Sequence, residues 1–144
     1  MMDPRLEEAR TRRDQIVAEI VARTGITETQ IERLVGAFYA RIRDDALLGP
    51  IFAARVEDWD THLKKMCAFW SSVALMSGRY SGQPMQAHLP LPVDETHFAR
   101  WLAIFEETAN EVCTTAGAAH FMERARRIAE SLRMGIAFHR GERI

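Results

Sequence analysis

TETQIERLVGAFYARI, residues 27–42, determines the fold class because it combines a helix start with a helical stripe of apolar residues. Thr27 and Gln30 have the spacing of a capping box, in which two side chains satisfy backbone donors left unpaired by the first helical turn. The apolar residues that follow recur three or four positions apart, which predicts an amphipathic helix; they are Ile31, Leu34, Val35, Phe38 and Ile42.

Helical periodicity recurs in four further segments. They are residues 4–23, residues 59–76, a segment that starts at Asp94, and one that follows Gly117. We predict a break at Gly49-Pro50 and no helical period in residues 77–94. Because no segment alternates in the manner of a strand, the predicted class is all-α, packed as a bundle or at the steeper angles of globin helices. We predict an N-terminal extension over residues 1–25 and one domain over residues 26–144.

Charge and composition exclude several classes of protein. The net charge is −1 and the acidic and basic residues are interleaved, which argues against nucleic-acid binding. No apolar run is long enough to span a membrane, and the charged N-terminus does not resemble a secretory signal. Cys67 and Cys113 lack metal-type spacing and fit a reducing compartment. We therefore expect a cytoplasmic protein without a nucleic-acid or membrane partner.

The familiar motifs of hydrolytic and phosphoryl-transfer enzymes do not occur in the sequence. There is no Gly-rich phosphate loop, no GxSxG elbow, no HExxH helix and no Glu-x-x-His pair on two helices. Two classes are left after these exclusions: a protein whose chemistry relies on a cofactor, and a protein without chemistry of its own.

Three side chains with polar tips lie on or beside the predicted apolar faces: Tyr39, His62 and Trp101. Each needs a hydrogen-bond partner if it is buried. A core role explains each of them when it is taken alone, and for His62 a bond to a backbone carbonyl is the favoured interpretation.

His88 stands in an irregular segment, YSGQPMQAHLPLP (80–92), whose prolines restrict the backbone. Such a segment could orient an imidazole as a metal ligand, and a surface histidine in a turn is an equally weighted alternative. Zinc needs three or four protein ligands, whereas haem iron needs one axial imidazole. Apolar residues that could wall a haem, or simply form core, are Phe52, Met66, Phe69, Leu89, Phe98 and Leu102.

Four motifs together resemble the group III, or P-type, truncated haemoglobins. They are FYARIRDDALLGPIF (38–52), WDTHLKKMCAFW (59–70), YSGQPMQAHLPLP (80–92) and HFARWLAIFEET (97–108). The resemblance implies a truncated globin fold, a two-over-two helical sandwich around one haem b. By matching motifs it implies His88 as the proximal iron ligand, Tyr39, His62 and Trp101 as distal residues, Phe52 stacked on the haem, and Lys65 along the haem edge toward a propionate.

The resemblance also suggests a reaction. Oxygen bound at ferrous iron gains negative character, and the donors Tyr39 and Trp101 would stabilise it, while His62 would donate or gate entry. So many donors would slow release, which favours redox chemistry on O2, NO or peroxide over oxygen delivery. NO dioxygenase or peroxidase-like activity, served by a reductase, is the enzymatic form of this hypothesis, and CO is a further diatomic ligand.

Two alternatives stay open. One is a haem-based oxygen carrier or sensor, and the other is a haem-free helical interaction module in which His62 and His88 are incidental. His97 is the next candidate for an iron ligand, and we expect His120 and His139 on the surface.

Overall fold

Residues 3–142, the part of the chain that the computed structural model describes, form seven α-helices and no strand, which confirms the all-α class. The helices are α1 (Pro4–Thr24), α2 (Glu28–Asp44), α3 (Gly49–Arg55), α4 (Trp59–Leu75), α5 (Pro84–His88), α6 (Glu95–Val112) and α7 (Thr115–His139). None of the helices in this range is long and apolar enough to cross a membrane.

The four long helices after α1 pack in two layers, α2 with α4 and α6 with α7, and α2 crosses onto α6. Aromatic side chains fill the space between the layers. The Trp70 ring stacks on Phe105 at 4.8 Å between centroids, and Phe38 meets Phe105 edge-on at 5.3 Å. Each of these three side chains is about 1 % exposed. Their burial holds the two layers together as the expected two-over-two sandwich.

The start of α2 uses one half of the predicted capping box. The Gln30 N–H donates to Thr27 Oγ1 at 3.1 Å, as the Thr-x-x-Gln pattern predicts. The other half does not form, because Gln30 Oε1 is buried without a partner among the described residues. Glu28 fixes this end of α2 instead, since its carboxylate accepts from the Ser71 hydroxyl and from Arg79.

Helix α1 has an exposed N-terminal half and a packed C-terminal half. Residues 3–16 are all exposed, whereas Ile20 and Thr24 are buried and α1 contacts α4 and α7. Gly25, at φ 72°, ends the helix at the predicted position, and Thr114 Oγ1 donates to the Thr24 carbonyl at 2.7 Å. The second half of α1 thus packs into the core, and the division at residue 25 stays a prediction.

Two short helices occupy stretches that the sequence predicts as irregular. The prediction of no helix in residues 77–94 is wrong at Pro84–His88. The predicted break at Gly49-Pro50 is misplaced as well, because α2 already ends at Asp44 and Gly49-Pro50 opens α3. A proline stands in the first turn of both helices, where its missing N–H costs no hydrogen bond and its fixed φ suits the helix. Helices of seven and five residues are too short for an apolar period to show.

The predicted surface position of His120 is also wrong. His120 is buried, 8 % exposed, and its Nε2 donates to the Ala74 carbonyl at 2.7 Å. It faces inward because α7 packs on the end of α4 and turns this residue toward the Ala74 carbonyl. His139 is exposed, as expected.

Candidate functional site

His88 is the last residue of α5, and its ring orientation is set by the same short helix. Its Nδ1 lies 2.6 Å from the Pro84 carbonyl oxygen. A carbonyl can only accept, so Nδ1 carries the proton and donates. The other ring nitrogen, Nε2, then keeps its lone pair free. This is the arrangement in which a histidine serves as a metal ligand, with the carbonyl holding its orientation and tautomer.

A cluster of four rings brings together three of the predicted site residues. Tyr39 of α2 meets the His62 ring of α4 nearly perpendicular, with centroids 5.3 Å apart, and it meets Phe52 of α3 at 5.7 Å. Phe52 and His62 are themselves 6.5 Å apart. The structure therefore places the predicted distal residues Tyr39 and His62 side by side, with Phe52 on the same cluster.

Trp59 completes this cluster and is absent from the site predicted from sequence. Its ring lies 5.6 Å from His62 and stacks on Phe52 at 6.5 Å. The Arg43 guanidinium covers the Trp59 ring at 4.5 Å, a cation–π contact between the ends of two helices. The available signal was the spacing of Trp59 three residues before His62, which places both on one helix face.

Trp101, the third predicted distal residue, lies one ring away from Tyr39. It stacks on Phe105 at 5.3 Å and meets Phe38 edge-on at 5.4 Å. Phe38 in turn meets Tyr39 at 5.0 Å. The structure thus connects Trp101 to the four-ring cluster through Phe38.

Burial sets the protonation of both titratable groups in the cluster. It raises the pKa of Tyr39 well above its usual value, with a smaller contribution from the Cys67 thiol. Burial, followed by the nearby Lys65 charge, lowers the pKa of His62. At neutral pH Tyr39 is therefore a hydroxyl donor and His62 a neutral imidazole. His62 Nε2 is buried without a hydrogen-bond partner among the described residues, an arrangement that calls for an explanation.

The remaining predicted wall residues are apolar and only partly buried. Met66 and Phe69 of α4, with Leu102 of α6, pack at the margin of the core. Leu89 and Phe98 are half-buried, while Lys65 is exposed. Such half-covered apolar side chains fit a flat apolar cofactor that would shield them from water.

The donor set fits haem in the same way. Among residues 3–142 no three His, Cys, Asp or Glu side chains are grouped so that they could hold a metal ion by themselves. His88 offers a single oriented nitrogen, and haem requires one axial ligand of this kind. The unpartnered His62 nitrogen and the Tyr39 hydroxyl are polar groups suited to a small ligand in an otherwise apolar cluster.

Comparisons with known proteins identify the family of the chain. The bacterial-like globin family matches residues 22–134. "Group 3 truncated hemoglobin ctb" of Campylobacter jejuni is 37% identical over 109 residues, covering 72% of this chain and 86% of that protein. The crystal structure of a group III truncated hemoglobin from Campylobacter jejuni matches with a TM-score of 0.73 and 34% identity, over 77% of this chain and 91% of that one. The chain therefore belongs to the bacterial-like globins, as a group III truncated haemoglobin, a haem-based gas-binding protein.

Proposed function

We propose that the protein holds one haem b with His88 as its protein ligand to iron, and that O2, NO or CO binds on the side of Tyr39 and His62. When bound, the haem supplies reversible binding of diatomic ligands and one-electron redox chemistry. The observation that carries the proposal is the 2.6 Å contact between His88 Nδ1 and the Pro84 carbonyl. It orients the imidazole and leaves Nε2 free to bind a metal.

On the distal side, the chain's own residues would hold the gas ligand by hydrogen bonds. Tyr39 is buried and protonated, so its hydroxyl can donate to a ligand that carries partial negative charge. His62 is neutral, and its buried Nε2 has no other described partner. Hydrogen bonds are stronger in an apolar cluster than in water, which favours slow ligand release. Trp101 would be a third donor, held by its stacking on Phe105.

The half-buried apolar residues would enclose the macrocycle. Phe52 would stack on it from the four-ring cluster, and the exposed Lys65 would reach a propionate at its edge. The remaining walls of this proposed pocket are Met66, Phe69, Leu89, Phe98 and Leu102. Slow release favours redox chemistry on O2, NO or peroxide over oxygen transport, and such turnover would draw electrons from a reductase.

The test of haem binding uses the visible spectrum of the reconstituted protein. We expect the wild type to bind one haem per chain, and His88→Ala to lose the spectrum of a histidine-ligated ferrous haem. Added imidazole should restore that spectrum in His88→Ala. His97→Ala is the matched control, because His97 Nδ1 is engaged in the cap of α6, where it accepts from the Asp94 N–H at 3.1 Å.

Each alternative predicts a different result in the same experiment. A wild type that takes up no haem would support the haem-free interaction module. Retention of the spectrum in His88→Ala with its loss in His97→Ala would identify His97 as the ligand. Oxygen release at the rate of a transport globin, without NO-dependent oxidation, would favour the oxygen carrier or sensor over redox chemistry.

A further inference from the structure

The helix that carries His88 has little structure of its own to hold it. Helix α5 has five residues and none of them is fully buried. A helix of this length is not stable by itself, because nucleation costs more than one turn of hydrogen bonds returns. Among the described helices, α5 packs against α7 alone. Of the described helices, α7 is therefore the one that can hold His88 in place.

Arg140, the C-cap residue of α7, binds the chain three and five residues after His88. Its Nη1 donates to the Val93 carbonyl at 3.0 Å and its Nη2 donates to the Leu91 carbonyl at 2.7 Å. Both carbonyls belong to the segment without regular structure between α5 and α6. The guanidinium is planar and rigid, so two bonds from one group fix the separation and direction of the two carbonyls.

A second contact holds the chain before His88. Gly135 of α7 faces Met85, which lies three residues before His88 on α5. A Cβ atom at position 135 would come within 2.3 Å of Met85 Sδ and 2.8 Å of its Cε. The Met85 thioether thus occupies the space that any other side chain at position 135 would need. We call this space the Gly135 notch.

We propose that Arg140, together with the Gly135 notch, is a positioning element that holds the short helix α5, and with it His88, in place relative to the iron. The two contacts bracket His88 on its two sides along the chain, and both come from one helix. Arg140 touches neither haem nor gas ligand in this proposal and acts through the backbone that carries His88. The inference rests on the proposed role of His88 as the iron ligand.

The first test compares Arg140→Ala and Arg140→Lys with Arg127→Ala. Arg127 is an exposed arginine of the same helix, paired with Glu123 one turn away, and it serves as the matched control. We expect Arg140→Ala to shift or broaden the iron–histidine stretching band in the resonance Raman spectrum. Haem loss to excess apomyoglobin should speed up by up to roughly tenfold, the lower end of the effect of losing a group bonded directly to a metal ligand, because Arg140 acts through the backbone. Arg140→Lys should restore part of both, and Arg127→Ala should match the wild type.

The same variants are compared without haem by hydrogen exchange. The Leu91 N–H donates to the His88 carbonyl at 3.0 Å and reports on the turn that follows α5. We expect this amide to exchange faster in Arg140→Ala and at the wild-type rate in Arg127→Ala. Because no cofactor is present, this readout measures the positioning contact directly.

The second test addresses the Gly135 notch. Gly135→Ala should expel the Met85 thioether, and Gly36→Ala is the matched control because a Cβ there meets no other atom within 4 Å. The methionine side chain is flexible and can move without its backbone, so we expect a smaller change in haem loss, about two- to threefold. Met85→Ala should give the same change, and adding Gly135→Ala to it should cause no further loss.

The outcomes separate this inference from the function on which it rests. If Arg140→Ala keeps the wild-type Raman band and haem loss while His88→Ala loses haem, the positioning role is overturned and the proposed function stands. If His88→Ala keeps a normal haem spectrum, both are overturned.

Discussion

Tyr39 offers the most direct test of the distal side, because Tyr39→Phe removes one hydroxyl and leaves the ring in its cluster. A hydrogen bond to a partly charged acceptor contributes about 1.5–3 kcal/mol. We therefore expect O2 release to speed up by roughly ten- to a hundredfold, with haem content unchanged. Stopped-flow measurement of O2 release checks this. Tyr80→Phe, at the only other tyrosine of the chain, is the control, and an unchanged rate in Tyr39→Phe would show that the hydroxyl does not hold the ligand.

His120 should make the stability of the protein depend on pH. Burial lowers its pKa, and the hydrogen bond to the Ala74 carbonyl offsets this only in part. The folded state then binds fewer protons than the unfolded chain, so stability falls as the pH drops below the unfolded pKa of about 6.5 and levels off below the folded pKa.

The variant His120→Gln keeps an amide donor for Ala74 and cannot titrate in this range. We expect its urea midpoint to fall less than that of the wild type between about pH 7.5 and pH 5.5. His62 also has a lowered pKa and leaves a residual dependence of the same sign. Identical slopes in wild type and His120→Gln would contradict a titrating role for His120.

The sequence indicates where some polar side chains lie and misses others, because some positions follow from a local pattern and others from contacts between helices. The inward positions of Tyr39 and His62 were predictable, because each residue stands on or beside a long apolar stripe. The contact between them follows from the packing of α2 on α4. The burial of His120 was not predictable, because it depends on which face α7 turns toward Ala74 at the end of α4. Contacts between elements of this kind carry no local pattern.

Among the elements, the two short helices show the limit of periodicity. Both α3 and α5 begin at a proline that equally marks a break, and neither has enough residues for a stripe. Their helical state is selected by the long helices beside them, α2 for α3 and α7 for α5. Both carry proposed haem contacts, Phe52 and His88. Residue type, spacing and the four-motif resemblance singled out these two residues, whereas none of them predicted the short helices that carry the residues.

The corner between α2 and α3 depends on Asp45, which caps it and links it to α6. Its carboxylate accepts from the Leu48 N–H at 3.0 Å and from Arg100 at 2.8 Å. Burial opposes its ionisation, but these hydrogen bonds outweigh the burial and hold the pKa of Asp45 below its usual value. The contribution to stability is therefore present above the unfolded pKa of about 4 and is lost as the pH falls through the lower folded pKa.

We expect Asp45→Asn to lower the free energy of unfolding by about 1–2 kcal/mol at neutral pH, because a charged hydrogen bond is lost. The difference from wild type should shrink below about pH 4, where the wild-type carboxylate also becomes neutral. Urea unfolding at the two pH values measures both effects. Asp14→Asn, on the exposed half of α1, should change neither the free energy of unfolding nor its pH dependence. A difference between Asp45→Asn and wild type that is constant at all pH values would show that the Asp45 charge is not responsible.

At the scale of the whole molecule, the sequence patterns predict the long helices but not how these helices pack against one another. Periodicity left a bundle and a globin-like crossing equally open, and the two-over-two sandwich was predicted from the resemblance of four motifs. The arrangement depends on contacts far apart in sequence, such as Trp70 on Phe105. Position 25, where the sequence predicts the end of an extension, lies inside the 22–134 range that matches the globin family.

Only the second half of α1 is packed, so we expect the residues after about residue 16 to stabilise the protein and those before it to contribute little. The boundary in stability should therefore lie near residue 16 rather than residue 25. Deleting residues 1–15 removes no buried side chain of the described range, so we expect a change within about 0.5 kcal/mol. Ile20→Ala should cost about 2–4 kcal/mol, because Ile20 belongs to the main core cluster.

Deleting residues 1–25 should cost more than Ile20→Ala, since it also removes the Thr24 carbonyl that accepts from Thr114. Thermal and urea unfolding of the three variants, each with its haem content measured, decide the question. If deletion of residues 1–25 leaves stability and haem uptake unchanged, residues 26–144 form a domain that is complete without α1. If it lowers both, Ile20 and Thr24 belong to the globin core, and the domain begins within α1.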